Sequence, residues 1–108
     1  METTELLEII ARGEDSRHQF KQDITTPVSL AGEMVAFANS GGGQIFIGVA
    51  DEGSLAALSA ADVQRINQHI GNAASDLVRP AVNTLTENVD VASGIVIVVT
   101  VPDGLSKP

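Results

Sequence analysis

The chain has 108 residues, of which 44% are hydrophobic and 19% are charged, so it fits one small globular domain and not a disordered chain. It contains no cysteine, which excludes disulfides, thiolate zinc sites and cysteine nucleophiles. Its net charge of −8 opposes nucleic-acid binding by the domain as a whole, because that binding depends largely on cations that neutralise phosphates.

The first half of the chain predicts a helix, a strand and a second helix. Residues 4–11 carry leucine and isoleucine at helical spacing and are followed by Gly13. Residues 17–23 are polar apart from one phenylalanine and predict a short strand with one face in solvent. Thr26 and Pro27 then provide a cap and a first helical residue for the second helix.

The second half predicts a strand, a helix and two further strands. Residues 44–49 form a nearly continuous apolar run, typical of a strand covered on both faces. Residues 59–62 match a capping box, and the helix that follows ends at Pro80. Residues 85–91 alternate like a strand with one buried face, and 95–101 (IVIVVTV) give the strongest strand signal. We therefore predict an α+β domain, a mixed sheet with helices packed on it, in the order α-β-α-β-α-β-β.

Three consecutive glycines separate the second helix from the apolar strand. A phosphate-binding loop leads from a strand into the N-terminus of a helix, whereas these glycines follow a helix C-terminus. No Lys-Ser or Lys-Thr pair follows them, so the stretch is not a P-loop. We interpret them as a turn and cap, with Asn39 closing the helix in the left-handed conformation. The residues assigned to turns and caps are Asn39, Gly41, Gly42, Gly43, Gly48 and Gly53.

Two stretches together resemble the Schlafen AlbA-like domain. Residues 13–21 (GEDSRHQFK) resemble its G-E-S-x-x-x-E-F-K motif, and residues 34–53 (MVAFANSGGGQIFIGVADEG) resemble its A-F-A-N-[ST]-x-G-G-x-[LI]-x-[LIF]-G-V-x-D-x-G motif. The resemblance implies an α+β domain that often precedes other domains in bacterial proteins described as predicted transcriptional regulators or ATP-binding proteins. A further short strand usually follows in the family, so we expect residues 1–108 to be an N-terminal fragment with further domains downstream.

The first functional hypothesis is a nucleic-acid-binding regulatory module of a bacterial transcriptional-regulator-like protein. Arg12, Arg17 and Lys21 are three of the six basic side chains, lie within ten residues and would contact DNA or RNA. Under this hypothesis the chain is not an enzyme and needs no metal or other cofactor. ATP binding is implied only by the label given to relatives, since the position of the glycines opposes it.

Two alternatives remain open. In vertebrate Schlafen proteins, related domains cut structured RNA with a carboxylate cluster, whose positions fall here on Glu14, Gln19 and Asp51. A metal-dependent phosphodiesterase would use Glu14 and Asp51 with a divalent ion, but the neutral amide of Gln19 weakens this reading. The other alternative is a non-catalytic scaffold, in which strand 95–101 is an exposed edge that pairs with a second copy of the chain.

The sequence also bears on location. No apolar run approaches the roughly 20 residues that a membrane-spanning helix needs. The acidic N-terminus lacks the basic and apolar regions of a signal peptide. We therefore expect a cytoplasmic protein with no membrane partner.

Overall fold

The computed structural model describes residues 1–56, 58–78 and 83–103. Its helices and strands confirm the predicted α+β class and element order. They are α1 (Thr3–Arg12), β1 (His18–Lys21), α2 (Pro27–Asn39), β2 (Gly43–Ile47), α3 (Ala60–Asn72), β3 (Leu85–Val91) and β4 (Gly94–Val101). A π-helical turn, Ala73–Leu77, continues α3. In these described ranges, no helix is both long and apolar enough to cross a membrane.

The strands form one mixed sheet in the order β1-β2-β4-β3. Strand β1 is parallel to β2, and β4 is antiparallel to both of its neighbours. Because β4 pairs on both sides, the prediction that residues 95–101 form an exposed edge is wrong. The two-residue loop between Val91 and Gly94 joins β3 and β4 in a hairpin. Strand β3 therefore pairs with the side of β4 that we expected to be open. The edge strands are β1 and β3.

Helices cover the sheet on both faces. Successive side chains of a strand point to opposite faces, so β2 supplies Ile45 and Ile47 to one side and Phe46 to the other. The first side packs against α2 and α3, and the second packs against α1. All three β2 side chains are fully buried, which confirms the prediction of a strand covered on both faces.

The start of α3 follows the sequence prediction. The Asp62 N–H donates to Ser59 Oγ at 3.2 Å, and the Ser59 N–H donates to Asp62 Oδ2 at 3.1 Å, which completes the predicted capping box. At the start of α2, Thr26 and Pro27 occupy the predicted cap and first helical positions. Pro80, expected to end the later helix, lies outside the described residues.

The glycine turn closes α2. Gly41 and Gly42 have φ angles of 99° and 89°, and the Gly42 N–H donates to the Phe37 carbonyl at 2.7 Å. Asn39 is the last residue of α2, so the left-handed conformation that we expected there is taken by the two glycines. Two consecutive residues with positive φ favour glycine over asparagine, because glycine has no Cβ to clash. Positive φ angles also occur at Gly48 (106°) and Gly53 (94°).

Strand β3 is more exposed than its alternating sequence predicts. Of its apolar residues, Val89 is buried, whereas Leu85 is 71% exposed. The N-terminus of α1 lies over the middle and the end of β3. There the Met1 ammonium contacts Glu87, and Thr3 Oγ1 donates to the Asp90 carbonyl at 2.9 Å. Helix α1 therefore does not cover Leu85 at the beginning of β3.

Replacing Gly43 by alanine is expected to lower the free energy of unfolding by about 1–3 kcal/mol, because the added Cβ would overlap the Phe37 ring. The control is Gly32→Ala, at an open position on α2 where alanine is expected to add about 0.5–1 kcal/mol. Urea unfolding measures both changes. Equal stability of Gly43→Ala and the parent chain would contradict this packing.

Candidate nucleic-acid interface

An open groove of about 410 Å³ lies at one end of the sheet. Strands β1 and β2 begin at this end and β4 finishes there, beside the glycine turn. We call it the Arg17 groove. Its lining comprises Arg17, His18, Gly41, Gly42, Gly43, Gln44, Thr100, Val101, Pro102 and Asp103.

Arg17 brings a positive charge to this groove. Its Nη1 donates to the Gly41 carbonyl at 2.6 Å. A Cβ on Gly41 would lie 2.9 Å from Arg17 Nη2, so the missing side chain lets the guanidinium lie against the backbone. Among the residues that the structure describes, Arg17 is the one Arg or Lys without a carboxylate within 4.0 Å. Within residues 1–56, 58–78 and 83–103, its charge is therefore not used in an ion pair.

The other cations in the described ranges are paired with carboxylates. Arg12 lies at the end of α1, 3.9 Å from Glu8, and both side chains are well exposed. Lys21 Nζ lies 3.0 Å from Oε1 of Glu33, which belongs to α2. The structure thus places Arg17 alone of the three predicted cations in the groove. Arg65, which the sequence analysis did not single out, lies 3.0 Å from Asp23 and 3.3 Å from Asp62.

His18 forms the wall of the groove next to Arg17. Its Nδ1 lies 2.8 Å from Asp15 Oδ1, and its ring stands edge-on to Phe46 at a centroid distance of 5.9 Å. The same carboxylate oxygen accepts the Arg17 backbone N–H at 2.8 Å. This bond, and then the bond from His18, hold the pKa of Asp15 below its usual value of 3.8. Asp15 therefore orders both residues at the start of β1.

Two polar residues of the groove were missed by the sequence analysis. Gln44 Nε2 donates to Thr100 Oγ1 at 3.2 Å, so the two side chains lie on the same face of β2 and β4. Each stands at one end of an otherwise apolar strand. A polar residue within an apolar run could have marked each of them as a candidate site residue. The sequence alone does not give the strand register that places Gln44 next to Thr100.

The three family carboxylate positions have separate surroundings. Glu14 Oε2 accepts the Phe20 N–H at 2.9 Å, on the outer edge of β1. The Gln19 amide faces the Glu33 carboxylate, and the amide orientation that satisfies both groups turns its nitrogen toward Oε1 at 3.1 Å. Asp51 is exposed in the turn after β2. Within residues 1–56, 58–78 and 83–103, no three His, Asp or Glu side chains are close enough to hold a metal ion.

Asp15→Asn is expected to reduce the loss of stability in acid. Because the folded-state pKa of Asp15 is lowered, its carboxylate stabilises the fold above pH 3.8, and this contribution is lost as the pH falls through the lowered value. Urea unfolding at pH 7 and at pH 2 measures the effect. The variant should be less stable than the parent at pH 7, and this difference should shrink at pH 2 as the Asp15 carboxylate of the parent takes up a proton. An equal difference at the two pH values would contradict this assignment.

Comparison with known proteins bears on the family. A family model described as Schlafen, AlbA_2 matches residues 14–108, a range that includes most of the first motif and all of the second. No curated protein matches the chain. Because the matched range covers far more than half of the sequence, the chain belongs to the Schlafen AlbA_2 family, which is related to nucleic acids.

Proposed function

We propose that this domain is a nucleic-acid-binding module that holds a backbone phosphate at Arg17. In this proposal it is a non-cleaving, regulatory part of a transcriptional-regulator-like protein. The observation that carries the proposal is the Arg17 guanidinium, which lies in an open groove and hydrogen-bonds to a neutral carbonyl instead of a carboxylate. The family relation supports nucleic acid as the class of ligand, and the position of this side chain supports Arg17 as the point of contact.

A guanidinium in this setting suits a phosphate. It has five N–H donors in a planar fork, and the Gly41 carbonyl uses the Nη1 end. The remaining donors can form charge-assisted bonds to two phosphate oxygens. The neighbouring His18 and Gln44 add polar groups at the same wall of the groove.

The charge of the domain sets the expected strength of binding. With a net charge of −8, a long polyanion is repelled by most of the surface. One local phosphate contact therefore predicts weak binding with a shallow salt dependence, a slope near −0.7 in log K against log salt for a single strand. A protein with a broad basic face would show a much steeper slope.

The contacts of the family carboxylate positions favour binding over cleavage. Glu14 accepts a backbone N–H at the edge of β1, and Gln19 is neutral and faces Glu33. A scaffold assembled through β4 is not part of the proposal, since both sides of that strand are already paired.

Arg17→Ala is expected to weaken nucleic-acid binding about tenfold or more, because a hydrogen bond to a charged group contributes about 1.5–3 kcal/mol. Fluorescence anisotropy with labelled DNA and RNA, single- and double-stranded, measures the affinity at low and physiological salt. Arg12→Ala is the matched control, since it removes the same charge from an exposed site outside the groove.

Equal losses in the two variants would mean that only net charge matters and would contradict a site at Arg17. The same samples, incubated with magnesium or manganese, go onto a denaturing gel. The proposal predicts intact nucleic acid. Products that disappear with Glu14→Ala would instead establish an active nuclease.

A further inference from the structure

We propose that the nucleic acid is single-stranded and that its bases lie across the open end of the sheet. This inference rests on the proposed function and specifies its ligand. It is carried by one row of side chains, His18, Gln44, Thr100 and Leu85, which we call the sheet-end row.

The register of the strands aligns this row. His18 pairs with Gln44 across β1 and β2, Gln44 with Thr100 across β2 and β4, and Leu85 with Thr100 across β3 and β4. Paired residues of neighbouring strands share one face of a sheet. The sheet-end row therefore crosses all four strands on the face that α1 covers further along.

This part of the face is open in the described structure. The N-terminus of α1 reaches Glu87 and Asp90 on β3, and Leu85 beyond it is 71% exposed. The other three members of the row, His18, Gln44 and Thr100, line the Arg17 groove. Three strand spacings give the row a length of about 14 Å. Four-stranded sheets that bind RNA accommodate two or three stacked bases.

Each member of the row offers a contact that a base can use. The imidazole of His18 is fixed by Asp15 and Phe46 and is 26% exposed, which presents an aromatic surface for stacking. Gln44 donates one side-chain N–H to Thr100, so its side-chain carbonyl and second N–H can bond to a base edge. The exposed Leu85 adds apolar surface at the far end of the row.

A duplex fits this surface poorly. Its bases are stacked inside, so they cannot lie on a sheet, and its affinity depends on several phosphate contacts. Arg17 is the one cation in the described residues that is free of a carboxylate partner, while Glu87 and Asp103 lie near the same end of the sheet. A single strand can turn its bases to the row and place one phosphate at Arg17.

The test is fluorescence anisotropy with labelled oligonucleotides of two to eight nucleotides, DNA and RNA, against a hairpin duplex of matched composition. We expect single strands to bind more tightly than the duplex, with most of the affinity reached at three or four nucleotides. His18→Ala should weaken single-strand binding about fivefold or more, as loss of one stacked base predicts. His18→Phe keeps the ring and should retain most of the binding.

Leu85→Ala tests the far end of the row. Its side chain is largely in solvent, so truncation should leave the fold intact while single-strand binding falls severalfold. The matched control is Leu7→Ala, which shortens another exposed leucine on α1 and should leave binding unchanged. Equal effects of the two leucine variants would overturn the inference.

The outcomes separate this inference from the proposed function. Tighter binding to the duplex, abolished by Arg17→Ala but unaffected by His18→Ala and Leu85→Ala, would overturn the inference and keep the function. No saturable binding to any strand would overturn both. A preference between RNA and DNA strands with the expected variant effects supports the inference and identifies the sugar.

Discussion

The chain reverses between α2 and β2 through two consecutive residues with positive φ, Gly41 and Gly42. This turn lets α2 lie on one face of the sheet while β2 enters its interior. A Cβ on Gly42 would lie 2.8 Å from the Val101 carbonyl, so the end of β4 also packs against the bare backbone. Because Gly41 also has no side chain, the Arg17 guanidinium can lie against its backbone and donate to its carbonyl. The glycines thus position both the sheet and the groove.

The distribution of charge gives the groove its character. The chain carries a net charge of −8, and the other cations in the described ranges are held by carboxylates. Arg17 differs from these other cations. The carboxylate closest to it in sequence, Asp15, is occupied by hydrogen bonds with the Arg17 backbone N–H and with Nδ1 of the His18 ring. Among the described residues, the guanidinium therefore has no carboxylate partner, as the proposed phosphate contact requires. One cation without a carboxylate partner, among the described residues of an acidic domain, is better suited to a short, local contact than to long-range attraction of a polyanion.

Much of the fold follows from sequence pattern, whereas the site depends on register. Helical spacing, the capping box at Ser59 and the apolar run of β2 are local signals, and the structure confirms them. Arg12, Arg17 and Lys21 lie within ten residues, but one ends a helix and another pairs with Glu33 of α2, so nearness in sequence did not make a patch. The place of β4 depends on how the hairpin after β3 folds, and no single segment encodes that pairing. The sheet-end row likewise appears only when four strands are aligned.

An NMR titration of the ¹⁵N-labelled domain with a four-nucleotide single strand would show whether the ligand contacts the Arg17 groove. If the ligand binds in the groove, the signals of the Arg17 side-chain Nε–H and of the backbone amides of Gly41, Gln44 and Thr100 shift in a saturable way, while those of Arg12 and Lys21 do not change. Shifts centred on Lys21 and α2, or no shifts at saturating oligonucleotide, would rule out binding at Arg17.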